Sequence, residues 1–475
     1  MKGIGRVAVG AVALAQGLAV QGAAAQAPAP RPDQQAFRAL YQELVETDTS
    51  VSSGSCTVLA DKVAAHLKAA GYADDQITLF STPDHPKEGG LVAILPGTSK
   101  TLKPMLLLGH LDVVTAKRED WTRDPFKMVE ENGYFYGRGT SDMKAMDAIW
   151  IDAMMRFKKE GFHPKRTIKL ALTCGEETTW AFNGAQWLAK NKPDLIAAEF
   201  ALNEGGGGRS DGHGKVVVMN LHVGEKLVQN YKIETTNPGG HSSVPVPDNA
   251  IYELADALQK VAHYEFPLQL NDTTRAYFAK AGAVRGDAIG QAMVAIAKNP
   301  GDKAAEAVLN QDRSYHSMLR TTCVATLLEG GHANNALPQR AAANVNCRIF
   351  PGNSVESIQQ SLATAIGDPK VAVTLVPPIR PVPVTPPLDA KIVGPAEKLV
   401  AKYYPGVPLV PTMSTGGTDG IFLEAIGIPV YGPPGTFGDP DGNGAHGLNE
   451  RAAVASVYTG RDLLQELVKA YADPR

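Results

Sequence analysis

Cysteine is scarce, with four in 475 residues, and aromatic residues make up only 7%. The cysteine spacings match no zinc ribbon and no disulfide-dense scaffold. Neither charge dominates, since 46 Lys and Arg stand against 49 Asp and Glu, a net of −3. With no basic run either, nothing directs the chain to nucleic acid or to an acidic membrane surface. There is no low-complexity tract and no repeat at a fixed period. Beyond the N-terminus, no apolar run approaches the length of a membrane span. What is present is ordinary for a soluble enzyme: 44% hydrophobic and 20% charged residues. The length exceeds one typical domain and suggests two.

The N-terminus differs from the rest. Lys2 and Arg6 precede an apolar stretch from Val7 to Val20, and Ala23-Ala24-Ala25-Gln26-Ala27 follows. A charged start, an apolar middle and an Ala-x-Ala end read as a secretory signal peptide over 1–27, cleaved after Ala25 or Ala27. A membrane anchor is the competing reading, but the stretch is short and glycine-bearing for a span. The expectation is an exported protein, periplasmic or secreted, with no membrane association after signal removal. Export permits disulfides. Cys174 ends a strand-like run and reads as a small buried thiol. Cys323 and Cys347 lie on two expected strands flanking Gly330 to Pro338. A hairpin centred near Asn335 would set them face to face, and the pairing is left open here.

Apolar runs at Gly90–Leu95, Met105–Leu108, Ile168–Leu172 and Val216–Val218 read as strands. Helical patterns fill Asp33–Ala70, interrupted at Thr47–Ser55, then Met143–Lys159 and Asn183–Lys190. This alternation predicts an α/β catalytic domain, a mostly parallel sheet flanked by helices. After Lys226 a smaller α+β unit is expected. It holds strands at Leu227–Thr235, Thr321–Leu328, Ala341–Phe350 and Val371–Leu375, and helices at Asn249–Tyr264 and Ser354–Ile366. A polar helical insertion runs over about 266–320. Proline-rich Pro377–Pro387 leads back to the first unit. The boundaries are 33–225 for the first catalytic part, 226–384 for the second domain and 385–475 for the second catalytic part.

Acidic and histidine clusters follow these strands. In Gly109-His110-Leu111-Asp112, His110 and Asp112 are two apart on extended backbone and project to one side. A metal-binding imidazole usually gives its second N–H to a carboxylate, and Asp112 is placed for that. Asp142 stands where a glycine-rich loop enters a helix. It reads as an N-cap or as a carboxylate bridging two cations, and the roles are compatible. Adjacent Glu176 and Glu177 point apart on extended backbone, so one suits a metal and the other a reacting water. Glu204 follows another apolar run, and His446 lies alone near the C-terminus. Such donors at successive strand ends suit two divalent cations.

These residues resemble a family of di-zinc amidohydrolases. It includes carboxypeptidase G, acetylornithine deacetylase, succinyl-diaminopimelate desuccinylase and aminoacylase. The matching motifs are His110-Leu111-Asp112-Val113-Val114, Trp121 with Asp124-Pro125-Phe126, and Tyr136-Gly137-Arg138-Gly139 with Asp142-Met143-Lys144. Glu176-Glu177, Gly240-His241-Ser242-Ser243 and His446-Gly447-Leu448-Asn449-Glu450 complete the set. The resemblance runs from about Ala36 to the C-terminus. It implies one zinc on His110, Asp142 and Glu204, and a second shared by Asp142 and held by Glu177 and His446. Cobalt or manganese are substitutes. It makes Glu176 the general base, Asp112 its catalytic neighbour, and the second domain a lid that also forms the homodimer interface in dimeric members. His241 then corresponds to the lid histidine that stabilises the oxyanion, from a partner subunit where a dimer forms. Asn335, Arg348, Gly417 and Thr418 are the substrate-binding positions. Thr321-Thr322, Gly330-Gly331, Asn335, Pro338 and Asn346-Cys347-Arg348 most resemble the carboxypeptidase S branch. One departure is His332 to Pro338, which lacks that branch's usual Asn-Val-[Ile/Leu/Met]-Pro wording.

The functional expectation is an exported zinc metallopeptidase of carboxypeptidase or dipeptidase type. Its substrate is a peptide or N-acyl amino acid with a free carboxylate, cut at the adjoining amide. An N-acyl-amino-acid deacylase uses the same machinery and is the rival inside the enzyme class. A catalytically dead zinc- or peptide-binding protein is the rival outside it. That rival predicts loss of Glu176 or of a ligand, and none is lost.

Overall fold

A computed structural model describes residues 31–178 and 182–474, so the expected signal peptide at 1–27 lies outside the described residues. No helix among the described residues is long and apolar enough to cross a membrane. Helices Pro32–Glu46 and Cys56–Ala69 come first among the described residues, separated by the expected interruption. In the first, Phe37, Leu40, Tyr41, Leu44 and Val45 recur at helical spacing and are buried together.

The large sheet has ten strands. Its order runs Ile77–Thr82, His85–Leu95, Ile168–Thr173, Met105–His110, Phe200–Leu202, Val430–Gly432, Val216–Glu225, Gly207–Ser210 and Phe437–Gly438. Leu409–Ser414 adds beside Val216–Glu225, in parallel. The outer pair Ile77–Thr82 and His85–Leu95 is antiparallel. Met105–His110 is parallel to both of its neighbours, Ile168–Thr173 and Phe200–Leu202. Those three strands therefore end at the same sheet edge, which is what brings the acidic clusters together.

Residues of Met105–His110 alternate between two cores. Met105 and Leu107 pack with helices Lys144–Lys159 and Val454–Ala472. Leu106 and Leu108 pack with Leu188, Ile421 and Phe422 on the opposite face. With both faces covered, every residue of that strand is buried.

The second sheet has the order Thr322–Gly330, Arg340–Ile349, Leu227–Thr236 and Ala372–Val376. All of its pairings are antiparallel. Helices Ala250–His263 and Val355–Ile366 supply the apolar cover, with Leu254, Ile358 and Leu362 against Tyr231, Ile233 and Val345. The inserted helices Asp272–Arg285, Ala288–Lys298, Lys303–Leu309 and Arg313–Met318 have a core of their own, with Phe278, Met293 and Ile296 at its centre. Asn271, the cap of the first of them, reaches Thr385 at 3.1 Å and Met413 at 3.5 Å.

All four cysteines are paired. Cys323 and Cys347 are directly opposite across two antiparallel strands and form a disulfide. Cys174 is not a free thiol as its surroundings suggested. It bonds Cys56, the first residue of helix Cys56–Ala69, at a sequence separation of 118. Both sulfurs belong to one buried cluster, where that helix packs over the strand end.

Candidate active site

His110 closes the central strand with its ring almost fully buried. Its Nδ1 lies 3.0 Å from the backbone carbonyl of Asp112. Oδ1 of Asp112 is 3.8 Å away, so the expected carboxylate–imidazole bond is replaced by a carbonyl. The Asp112 carboxylate has another task. It accepts the backbone N–H groups of Gly175 at 2.7 Å and Glu177 at 3.0 Å, and that of Glu176 at 3.4 Å. Asp112 thereby fixes the loop that carries both glutamates.

Nε2 of His110 is buried and has no hydrogen-bond partner. It faces Asp142 Oδ1 at 3.3 Å and Glu204 Oε1 at 3.7 Å. The other Asp142 oxygen lies 3.0 Å from Nε2 of His446, and Glu177 Oε2 is also 3.0 Å from that nitrogen. Asp142 therefore spans the two histidines. It does not cap the helix it precedes; Met143 is the N-cap, without a side-chain bond. Donor atoms of His110, Glu176 and Glu204 lie within 4.8 Å of one another, as do those of His110, Asp142 and Glu177. Glu176 and Glu177 lie on a bend after Gly175 rather than on the extended backbone expected, and each joins His110 in a different group.

His446 takes a left-handed backbone, φ 59°, which a non-glycine residue rarely adopts. Strain of this kind persists only where surrounding contacts enforce it. Glu450, three residues past Gly447, shows how the neighbouring loop is held. Its Oε1 accepts N–H groups from Ser141 at 2.7 Å and Asp142 at 3.0 Å. Its Oε2 accepts Gly139 N–H at 3.0 Å and Arg138 Nη1 at 2.7 Å. The motif containing Glu450 was visible in the sequence, but this role was not.

Burial pushes the carboxyls of Glu176, Glu177 and Glu204 upward. His446 is pushed up to about 10 by its hydrogen bonds to Asp142 and Glu177. Burial opposes a charge on His110, yet Asp142 and Glu204 hold its proton affinity well above the ordinary range. Burial acts on all of these groups, and in the same space four carboxylates crowd two imidazoles. Two divalent cations would balance four carboxylates with both imidazoles neutral, the form that binds metal. The nitrogen and oxygen donors, and the orphaned Nε2 of His110, fit such cations.

Sequence reasoning passed over Asp419. It is buried, accepts Thr173 Oγ1 at 3.1 Å and Asn183 Nδ2 at 2.6 Å, and burial pushes its carboxyl up to about 6. In the sequence it only adjoins Gly417 and Thr418, in the run Thr415-Gly416-Gly417-Thr418-Asp419. Beside it, Thr418 Oγ1 accepts Asn203 Nδ2 at 3.2 Å, tying that loop to the neighbour of Glu204. Gly417 packs toward Val228, and Val228 pairs with Arg348. The structure thus gathers Gly417 and Arg348 around one strand. Arg348 forms no ion pair among the described residues and donates to Asn346 Oδ1 at 3.2 Å.

His241 and Asn335 meet each other but not the cluster. His241 pairs with Ala336, and Ser242 N–H donates to the Asn335 carbonyl at 3.1 Å. The His241 ring is exposed, its Nδ1 taken by Ser243 N–H at 3.1 Å and Oγ at 2.7 Å. Among the described residues no hydrogen bond or ion pair joins it to His110, Asp142 or the glutamates.

A histidine–carboxylate cluster at the carboxyl edge of parallel strands stands where open α/β sheets bind their ligands, and its donors suit divalent cations. The chain belongs to peptidase family M20/M25/M40, whose model matches residues 106–470. It is 27% identical over 389 residues to the human N-fatty-acyl-amino acid synthase/hydrolase PM20D1, covering 79% of this chain and 75% of that protein. It is also 27% identical over 387 residues to a probable carboxypeptidase S-like 2 of Dictyostelium discoideum, covering 78% and 72%. Among solved structures, an M20 family metallo-carboxypeptidase from Sulfolobus solfataricus aligns with TM-score 0.69 at 19% identity. The alignment covers 93% of this chain and 100% of that one. The chain is an amidohydrolase enzyme of this family.

Proposed function

We propose that the chain is an exported, zinc-dependent peptidase of carboxypeptidase or dipeptidase type. It hydrolyses an amide bond next to a residue with a free carboxylate. The observation that carries this reading is His110 Nε2, buried, without a hydrogen bond, and facing the carboxylates of Asp142 and Glu204. In this reading His110, Asp142 and Glu204 hold one cation, and Asp142, Glu177 and His446 hold the other. Zinc bound there would polarise the scissile carbonyl and lower the pKa of water towards about 7. Cobalt or manganese would suit the same donors.

The residues of the chain do the rest. Glu176 takes a proton from water and delivers it to the leaving amine. Asp112 keeps Glu176 aimed by holding its backbone N–H. Arg348, with Asn335, Gly417 and Thr418, receives the substrate carboxylate, for which a guanidinium fork is matched. His241, its Nδ1 already occupied, has Nε2 left to donate to the oxyanion.

His241 reaches the site by lid closure or from a second copy. A homodimer through the lid is supported by the edge strand Thr322–Gly330. There Val324, Leu327 and Leu328 are 61%, 69% and 70% exposed. An open apolar edge is normally covered. Export is supported by the two disulfides, which suit an oxidising compartment.

N-acyl-amino-acid hydrolysis is a second reading. The activity named for the human relative favours it, and it needs no change of machinery. The test is to strip the protein with a chelator and titrate zinc back against a panel of dipeptides and N-acyl amino acids. Activity should return with two equivalents. Full activity in the stripped protein would sink the metal reading. Equal rates on amidated and free-acid substrates would sink the carboxylate requirement.

A further inference from the structure

His222 takes no part in the steps above, yet its ring reaches the backbone of a residue that does. It stands on strand Val216–Glu225, paired with Thr412 and with Gly432. The residue is 6% exposed. Its Nδ1 lies 3.2 Å from the backbone carbonyl of Glu204, and its Nε2 lies 2.7 Å from that of Gly224. Two acceptors thus face the two nitrogens of one ring.

Glycine makes the approach to Glu204 possible. A Cβ on Gly205 would stand 2.0 Å from His222 Nδ1, and one on Gly432 would stand 2.3 Å from the Glu204 carbonyl oxygen. Gly205 also has φ 89°, which disfavours any side chain there. Burial lowers the proton affinity of the ring, and its partners are carbonyls rather than carboxylates. A neutral imidazole carries a single N–H. It satisfies one carbonyl at a time, and the other then meets a lone pair.

The two carbonyls belong to different parts of the molecule. Glu204 stands in the histidine–carboxylate cluster, 3.7 Å from His110 Nε2. Gly224 lies two residues ahead of the lid. Its φ is 90°, and a Cβ there would meet Thr385 Cγ2 at 3.1 Å. Thr385 lies on the segment that returns from the lid, so the outgoing and returning segments pass each other at Gly224. A rotation of the lid about these segments displaces the Gly224 carbonyl, and with it one of the two partners offered to the ring.

We propose that His222 is a positioning residue that couples the lid hinge at Gly224 to the placement of Glu204. It is neither a cation ligand nor an acid or base. With its N–H on Gly224, the ring turns a lone pair to the Glu204 carbonyl. With its N–H on Glu204, it fixes that backbone and aims the carboxylate at the cation held with His110 and Asp142. The coupling presupposes the reading above, in which Glu204 holds a cation.

The test uses the full chain, stripped of metal and reloaded with zinc. Two variants separate the two bonds, since an Asn amide nitrogen stands near the place of Nδ1 and a Gln amide nitrogen near that of Nε2. His222→Asn should keep both zinc affinities of the wild type. His222→Gln, which loses the Glu204 contact, should weaken one of the two zincs about 10–100-fold in a competitive chelator titration. Hydrogen exchange read by mass spectrometry reports the coupling. In the wild type, zinc should slow exchange of the hinge peptides 222–228 and 383–387 about fivefold, the worth of one hydrogen bond. In both variants, saturating zinc should still protect peptides around His110, Asp142 and Glu204 but no longer the hinge. A wild-type hinge that ignores zinc overturns the proposal before any variant is made. Hinge protection that survives in both folded variants overturns it too, as does equal zinc affinity in the Asn and Gln proteins. A wild type that binds no zinc, with no protection around His110 or Glu204, overturns the underlying reading itself.

Discussion

The buried carboxylate of Glu450 accepts the backbone N–H of Asp142 at 3.0 Å. Glu450 is fully buried and also binds Arg138, itself 3% exposed. Breaking such a pair leaves an uncompensated buried charge, at a cost of about 3–5 kcal/mol. Glu450→Ala should lower thermal stability by that order. It should also weaken cation binding about 10–100-fold, because the Asp142 loop loses its anchor. Differential scanning calorimetry and a competitive chelator titration measure the two effects. Unchanged cation affinity in a folded variant would leave Glu450 a purely structural residue.

Glu176→Gln should keep the cation content of the wild type and lose turnover. The amide has the same volume but cannot accept the proton, and loss of a general base typically costs about 10²–10⁴-fold. Plasma-emission metal analysis beside kcat gives the answer. Near-normal turnover with two metals bound would reassign the base.

Glu424 supplies a stability prediction away from the cluster. It is 7% exposed, one carboxylate oxygen has no partner, and burial pushes its carboxyl up to about 8 from 4.5. The folded state keeps a proton that the unfolded chain has released, so stability should fall as pH rises from about 4.5 to about 8. Glu424→Gln should remove this part of the slope and raise Tm most above pH 8. Parallel Tm–pH profiles for the two proteins would exclude the effect.

His241→Ala should lower kcat more than KM, by about 10²–10³-fold, if the ring donates to the oxyanion. Mixing this variant with Glu176→Gln should restore activity if the ring acts across a dimer. Each mixed pair then contains one intact set. No recovery, with subunit exchange shown independently, would place His241 in the subunit it serves.

The sequence exposed those parts of the site that follow one strand at a time. His110, Glu176, Glu177 and Glu204 each end an apolar run, and the parallel arrangement of three strands follows from that pattern. The Cys323–Cys347 pair stayed open in the sequence: a hairpin near Asn335 would set the two face to face, and the strands do pair so, across a register shift that no pattern marks. Cys56–Cys174 was not legible, because its partners are 118 residues apart and meet only through helix packing. The work of Asp112 and Glu450 was hidden for the same reason. Both accept backbone N–H groups, which every residue but proline carries, so no side-chain pattern marks the far end of the bond.

Strands Val216–Glu225 and Leu409–Ser414 lie side by side, with the whole lid spun out between them. A ribosome therefore releases His110, Asp142, Glu176 and Glu204 well before the strand that completes their sheet. His446 emerges later still, just ahead of the closing helix Val454–Ala472. Until then the nascent chain is one imidazole short. Such non-local pairing is slow to form, because loop closure must precede the contacts that reward it. If the protein is exported as proposed, a chain still threading through a membrane is an inactive one, and its hydrolytic activity begins only where folding ends.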